Sequence, residues 1–289
     1  MDFDVIATTL GVMGLALFAS VQGYRFSLVL PPNLRVLLFA IVMVVASLYA
    51  ALIVGRLEVA PFFPSGLAIF AGNITPILIA FAAGLGWTFP SVTGRQRQAR
   101  FVGIAMLSFV FYLAPALRPM IRPVVSDEKS LFVQGICLQS HPATCGAAAA
   151  ATLLNMHGIS VSEYDMIRAC LTSQDGTEPL GLYRGLVAHT KQRRVTPQLA
   201  AKDSTLWTTL NQYPLVALVS FRKDNDLLAG DTNLRRMFGR EAEGHAIVVL
   251  GEAADGQFII GDPAVGRTLW DQKSFARRFT GQAIFLSGI

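Results

Sequence analysis

QSHPATCGAAAAATLLNMHG, residues 139–158, is the stretch on which the fold of the C-terminal half turns. Cys145 to His157 reads as a helix, because alanine and leucine have high helix propensity and Gly158 supplies the left-handed stop. The run Ala147 to Ala151 offers little side-chain bulk, so this helix can lie very close to a sheet. A second helix is expected from Ser162 to Thr172, with Ser162 as its N-cap and Asp165 three residues later in the pattern of a capping box. A third spans Leu180 to Arg193. Beyond it the pattern changes to strand-like runs rich in Val, Ile and Leu: Val195 to Ala200, Leu215 to Phe221, Ala246 to Gly251, Phe258 to Gly261 and Ala283 to Ser287. Helices first and strands afterwards argue for an α+β domain rather than a parallel βαβ array. Asp255 and Gly256 mark a hairpin turn, and Arg222 to Gly244 is a long polar loop just before His245.

Upstream the composition differs. Of 289 residues 53% are hydrophobic and 15% charged, too apolar for an ordinary soluble chain. Residues 1–125 hold eight Arg against Asp2, Asp4 and Glu58, while 126–289 hold 16 basic and 16 acidic residues, so the net charge of +5 belongs to the first part. Four apolar stretches lie there: Val5 to Tyr24, Leu34 to Val54, Leu67 to Phe89 and Phe101 to Leu117. About 20 residues cross the hydrocarbon of a bilayer as a helix. Residues 1–125 are therefore expected to form a transmembrane region of four helices, and 126–289 a water-soluble domain joined through the Arg118 to Lys129 linker. The first stretch lacks a basic start and carries Asp2 and Asp4, which favours a retained span over a cleaved signal peptide. The acidic N-terminus and the cluster Arg95, Arg97 and Arg100 tip the orientation toward both termini outside. In a bacterium that is a multi-pass inner-membrane protein with its soluble domain in the periplasm. Asn73 and Thr75, beside Pro76, read as inter-helix contacts rather than a transport site. The neutral second part has no basic stripe for phosphates, so nucleic acid is not an expected partner.

The chain has four His and three Cys. No CxxC or HExxH spacing occurs, and Cys137, Cys145 and Cys170 make no zinc pattern with the histidines, so no metal or cofactor is expected. The GxxxxGK[ST] phosphate loop is absent as well, and ATP is not an expected ligand. What remains is Cys145 opening a helix, His245 opening a strand about a hundred residues later, and Asp262 closing the next strand. The first turn of a helix leaves unpaired N–H groups and a positive dipole end, which stabilise a thiolate. His245 is suited to take the thiol proton and later protonate a leaving amine, with Asp262 holding the far ring nitrogen. Taken singly, each residue has a plainer reading: a free Cys packs as a small hydrophobe, and Asp262 before Pro263 is a turn residue. The combination is what points to nucleophilic catalysis.

Gln139-Ser-His-Pro-Ala-Thr-Cys145-Gly146, then Gly244-His245-Ala-Ile-Val-Val, then Gly261-Asp262-Pro263-Ala264, resembles the C39 family of cysteine peptidases, the bacteriocin-processing or double-glycine peptidases. The resemblance covers roughly Gln134 to Ile289, with Gly176 to Gly185 similar to the segment between the family's second and third helices. It implies a papain-like fold and a cysteine peptidase. It also implies that Gln139, six residues before the nucleophile, forms the oxyanion hole with the backbone N–H of Cys145. The best-known members carry this domain at the front of an ABC exporter; here apolar segments precede it.

The function expected is hydrolysis of a small secreted or membrane-associated peptide, after Gly-Gly or another small pair, through a thioester acyl-enzyme, in the service of a secretion or surface-assembly system. Two rivals share the sequence: a transglutaminase or acyltransferase using the same residues, and a non-catalytic domain that docks leader peptides. Cys137 and Cys170 form an even pair once Cys145 is set aside, and read equally as a disulfide or as two buried thiols. His141 reads as a loop residue, His157 as a helix cap, His189 as part of a solvated helix face, and Trp207 and Trp270 as core anchors.

Overall fold

The computed structural model describes residues 3–62, 74–89, 94, 96, 103, 118–126, 129–221 and 243–288. Two long helices open the chain, α1 over Phe3–Val29 and α2 over Pro32–Leu52, with Pro32 at the first turn where its missing N–H costs nothing. Both are long and apolar enough to cross a membrane, and large apolar side chains such as Leu17, Phe18, Leu28, Leu37 and Val44 face outward. A third helix, α3 over Thr75–Gly86, packs on both. It touches α1 at glycines: a Cβ on Gly23 would strike the Phe81 carbonyl, and one on Gly84 the Ser20 carbonyl. Arg35 donates from Nη1 to Thr88 Oγ1 at 2.7 Å and from Nη2 to the Leu30 carbonyl at 3.0 Å, tying the start of α2 to the end of α3.

Two of the four expected spans are thus full-length helices among the described residues. The third stretch is described only over 74–89, where Pro76 fits only a first helical turn and α3 has 12 residues. That is about 18 Å of helix, short of the hydrocarbon thickness. The fourth, 101–117, lies outside the described residues apart from Gly103.

The second half opens with a small hairpin, β1 over Leu131–Val133 and β2 over Ile136–Leu138. Three helices follow: α4 over Cys145–Met156, α5 over Glu163–Ala169 and α6 over Pro179–Thr190. The strands are β3 over Val195–Leu199, β4 over Leu215–Phe221, β5 over Glu243–Glu252, β6 over Phe258–Asp262 and β7 over Gly266–Trp270. Then come α7 over Gln272–Arg278 and β8 over Phe279–Gly288. They form one six-stranded antiparallel sheet in the order β3-β8-β4-β5-β6-β7.

Alternation along the strands divides the core in two. Val216, Val248, Ile284 and Leu286 face α4, α5 and α6, while Leu215, Ala217, Ile247, Val249 and Ile260 face Trp207 and Phe275 of α7. Ala147 through Ala151 are fully buried, which lets α4 lie directly on β5. The 3-10 turn Leu57–Phe62, between α2 and α3, docks on the helical side: Leu57 and Ala60 are buried in that core beside α6 and β3, and Glu58 pairs with Lys202 at 2.8 Å.

Several boundaries differ from expectation. β5 begins at Glu243 rather than Ala246, so His245 lies inside the strand. β8 begins at Phe279 rather than Ala283. α5 and α6 stop at Ala169 and Thr190, short of Thr172 and Arg193. The hairpin, β7 and α7 are additions; each is seven residues or fewer, too short to impose a visible period. Of the polar loop Arg222 to Gly244, residues 222–242 lie outside the described residues.

Candidate active site

Cys145 is the first residue of α4, where the N–H groups of the opening turn have no acceptor within the helix. The loop before it is pinned one backbone N–H at a time. Gln139 N–H donates to the Pro263 carbonyl at 2.8 Å, Ser140 N–H to Glu163 Oε1 at 2.9 Å and His141 N–H to Thr144 Oγ1 at 3.2 Å. The first bond joins the loop to the segment after β6, and the second joins it to α5, whose Ser162 and Asp165 form the expected capping box. Cys137 N–H donates to Thr152 Oγ1 at 2.9 Å, fastening β2 to the middle of α4. Gly146 packs against Thr177, and a Cβ there would lie 2.8 Å from Thr177 Cβ.

His245 and Asp262 come from adjacent strands. Val248 opposes Gly261, so the next step of the antiparallel register sets Ile247 opposite Asp262, and His245 follows on the same face. His245 Nε2 lies 2.7 Å from Asp262 Oδ1, which also accepts the Ala264 N–H at 2.8 Å. The imidazole hydrogen-bonds the Cys145 side chain as well. With Nε2 engaged by the carboxylate, Nδ1 is the nitrogen left for the sulfur. Burial pushes the imidazole down, but hydrogen bonds to Asp262 and Cys145 and the negative charge on both raise it to about 9. Burial likewise pushes the Asp262 carboxyl up, but the hydrogen bonds it accepts from His245 and from the Ala264 N–H, with the charge on the imidazole, outweigh burial and hold the group below its usual range. The charged forms of both partners are favoured.

Gln139 is half-buried, and its Oε1 has no hydrogen-bond partner among the described residues. A buried amide without a partner has capacity for a ligand. Cys145, His245 and Asp262 are thus brought together, with Gln139 on the loop directly before the thiol. Among the described residues no group of His, Cys, Asp and Glu is arranged to hold a metal ion.

The other cysteines have a different environment. Both are free and buried, so the disulfide alternative is not formed. Cys137 sits on β2 near Ser130 and Glu163, and Cys170 between α5 and α6 against Gly185. Burial, joined at Cys137 by the Glu163 charge, pushes each thiol up to about 12 and keeps it protonated. His141 is half-buried rather than solvent-facing, because its Nδ1 accepts the Ala143 N–H at 3.1 Å and shapes the loop. His157 caps α4 through the Leu153 carbonyl at 2.9 Å, and His189 bonds the Gly185 carbonyl at 3.0 Å. Trp207 is a fully buried anchor; Trp270 is partly exposed. Sequence reading missed Glu163, a charged residue buried at the head of a helix. Its only signal was the capping box that begins one residue earlier.

The chain is similar over about half its length to several solved peptidase domains. The peptidase domain of Streptococcus ComA, a bi-functional ABC transporter involved in a quorum-sensing pathway, is 25% identical, covering 53% of this chain and 96% of its own, with a TM-score of 0.41. A double-glycine-motif protease from an AMS/PCAT transporter, in complex with the leader peptide, is 18% identical over 56% of this chain and 93% of its own, with a TM-score of 0.39. The N-terminal peptidase C39-like domain of a toxin secretion ATP-binding protein from Vibrio parahaemolyticus is 8% identical over 52% of this chain and 99% of its own, with a TM-score of 0.35. No family model and no curated protein matches the chain.

Proposed function

We propose that this chain is a membrane-anchored cysteine peptidase. The observation that carries the reading is one imidazole held between a carboxylate at 2.7 Å and a thiol at the head of a helix. In this arrangement the Cys145 sulfur, as thiolate, attacks the carbonyl carbon of the scissile bond. The resulting oxyanion is received by the Cys145 N–H and the Gln139 side-chain amide. The His245 imidazolium gives its proton to the amide nitrogen, the C–N bond breaks, and a thioester remains on Cys145. Neutral His245 then removes a proton from water as the oxygen attacks the thioester, and the thiolate leaves. Asp262 holds the ring tautomer and offsets the positive charge throughout.

The substrate we propose is a small secreted or membrane-associated peptide cut after Gly-Gly or another small pair, delivered by a secretion or surface-assembly system. The anchor lies within residues 1–125, where α1 and α2 cross the inner membrane, and the peptidase domain is 126–289, on the periplasmic side. The exposed apolar surfaces of α1 and α2 and the basic excess of this half support that arrangement. Incubating the detergent-purified chain with synthetic peptides carrying one Gly-Gly pair, and reading the products by mass spectrometry, tests it. Cleavage is expected from the wild type and none from Cys145→Ala. Equal cleavage by Cys145→Ala would refute the assignment, and incorporation of a labelled amine in place of water would redirect it to acyl transfer.

A further inference from the structure

Phe221 closes β4 and remains 36% exposed, although the strand behind it is buried. The register explains where its ring goes. Val219 opposes His245 and Phe221 opposes Glu243, so Phe221 shares the face of His245 and is its diagonal neighbour, a separation an aromatic ring can bridge. The two ring centroids are 5.8 Å apart at an interplanar angle of 44°. Phe221 is itself held: its ring lies 6.2 Å from that of Trp270, and the Arg278 guanidinium sits 5.2 Å from the Phe221 centroid and 4.8 Å from that of Trp270. A cation over both ring faces biases the Phe221 side chain toward one rotamer.

We propose that Phe221, clamped by Arg278 and Trp270, is a positioning residue that fixes the plane of the His245 imidazole and keeps water from its hydrogen bonds. The proposal rests on the peptidase reading. An imidazole on a single Cβ–Cγ bond can swing, and Asp262 restrains only one of its nitrogens. A ring packed beside it restricts that swing and leaves the second nitrogen facing the thiol. Among the described residues, the ionisable groups around the imidazole are Cys145 from α4 and Asp262 from β6, with Arg278 of α7 behind the phenyl ring.

The test is the rate at which iodoacetamide alkylates Cys145 in the full chain in detergent, followed by peptide mass spectrometry from pH 5 to pH 10. An ordinary thiol near pKa 8.5 is only about 0.3% thiolate at pH 6, so rapid alkylation there reports a thiolate paired with imidazolium. Wild type is expected to react at pH 6 faster than free cysteine does under the same conditions. Phe221→Leu keeps apolar bulk without a ring and should lose about tenfold at pH 6, part of the 100- to 10,000-fold that a positioned base contributes, while staying near wild type at pH 10. Phe221→Tyr should restore the rate. Should Phe221→Leu not fold, Arg278→Gln, which releases the clamp from the far side, is expected to give a smaller loss of the same shape. If the folded variant alkylates at pH 6 as fast as wild type, the positioning role is wrong although the peptidase stands. If wild type itself behaves as an ordinary thiol, the peptidase reading fails instead.

Discussion

At the scale of single residues, the His245–Asp262 pair fixes the pH behaviour. The imidazole is raised to about 9 and the carboxyl is lowered, so the two shifts act at opposite ends of the scale. The His245 contribution to stability is fully present below about pH 6.5, its unfolded value, and is lost as pH rises through about 9. The Asp262 contribution is present above the ordinary carboxylate value and is lost as pH falls through its lowered one. An imidazolium is also what protonates the leaving amine, so the alkaline limb of kcat/KM is expected near pH 9. Asp262→Asn removes the negative partner and should move that limb toward pH 6.5, with a rate loss of roughly 10- to 1,000-fold. An unmoved limb would mean that the carboxylate does not set the imidazole. Gln139→Ala should lower kcat by about 100- to 1,000-fold, the usual effect of deleting one oxyanion donor, with thermal stability unchanged. Cys145, His245 and Asp262 were legible in the sequence because each is chemically distinctive and sits where one element gives way to another. Glu163 and Phe221 were not legible, since their roles arise from contacts across the sheet and between helices that no local spacing encodes.

At the scale of elements, close approach is governed by what side chains leave out. The alanine run was readable because five small residues in a row can serve only a helix pressed against a neighbour, and α4 lies on β5 in that way. The contact between α5 and α6 was not readable, because it depends on single glycines meeting a particular sulfur. A Cβ at Gly185 would strike Cys170 Sγ and would come within 3.0 Å of Met166 Cε. Gly185→Ala is therefore expected to destabilise the domain by about 1–3 kcal/mol through overpacking. Cys170→Ala removes the obstructing sulfur, so Gly185→Ala with Cys170→Ala should cost less than the sum of the two single changes. Additive losses in denaturant titrations would show that the sulfur is not the obstacle. Missing β7 and α7 has a related cause. Asp271 caps α7 by accepting the Ser274 N–H at 2.8 Å, a legible start signal, but the helix behind it is only seven residues and its burial rests on Phe275 alone.

At the scale of the whole molecule, the question is what joins the apolar half to the domain that bears the site. Two kinds of contact are present. Arg118 pairs with Glu178 at 2.6 Å and Arg122 with Asp175, on side chains 38–53% exposed, and such pairs contribute about 0–1 kcal/mol each. Leu57, by contrast, is 1% exposed within the core shared with α6 and β3, where truncating a leucine costs about 2–5 kcal/mol. Packing therefore outweighs charge in this junction, even though composition suggested two halves joined by a linker alone. The site is tied into the same framework, because the segment 173–178 that receives Arg118 and Arg122 also supplies Thr177 against Gly146, next to the thiol. Leu57→Ala should accordingly speed amide hydrogen exchange in α6 and β3 by ten-fold or more, since each 1.4 kcal/mol is a factor of ten in an opening equilibrium, whereas Arg118→Ala should leave it within about threefold. The measurement is made on the full chain in detergent. Unchanged exchange in α6 after Leu57→Ala would mean that the turn between α2 and α3 merely rests against the domain instead of holding it.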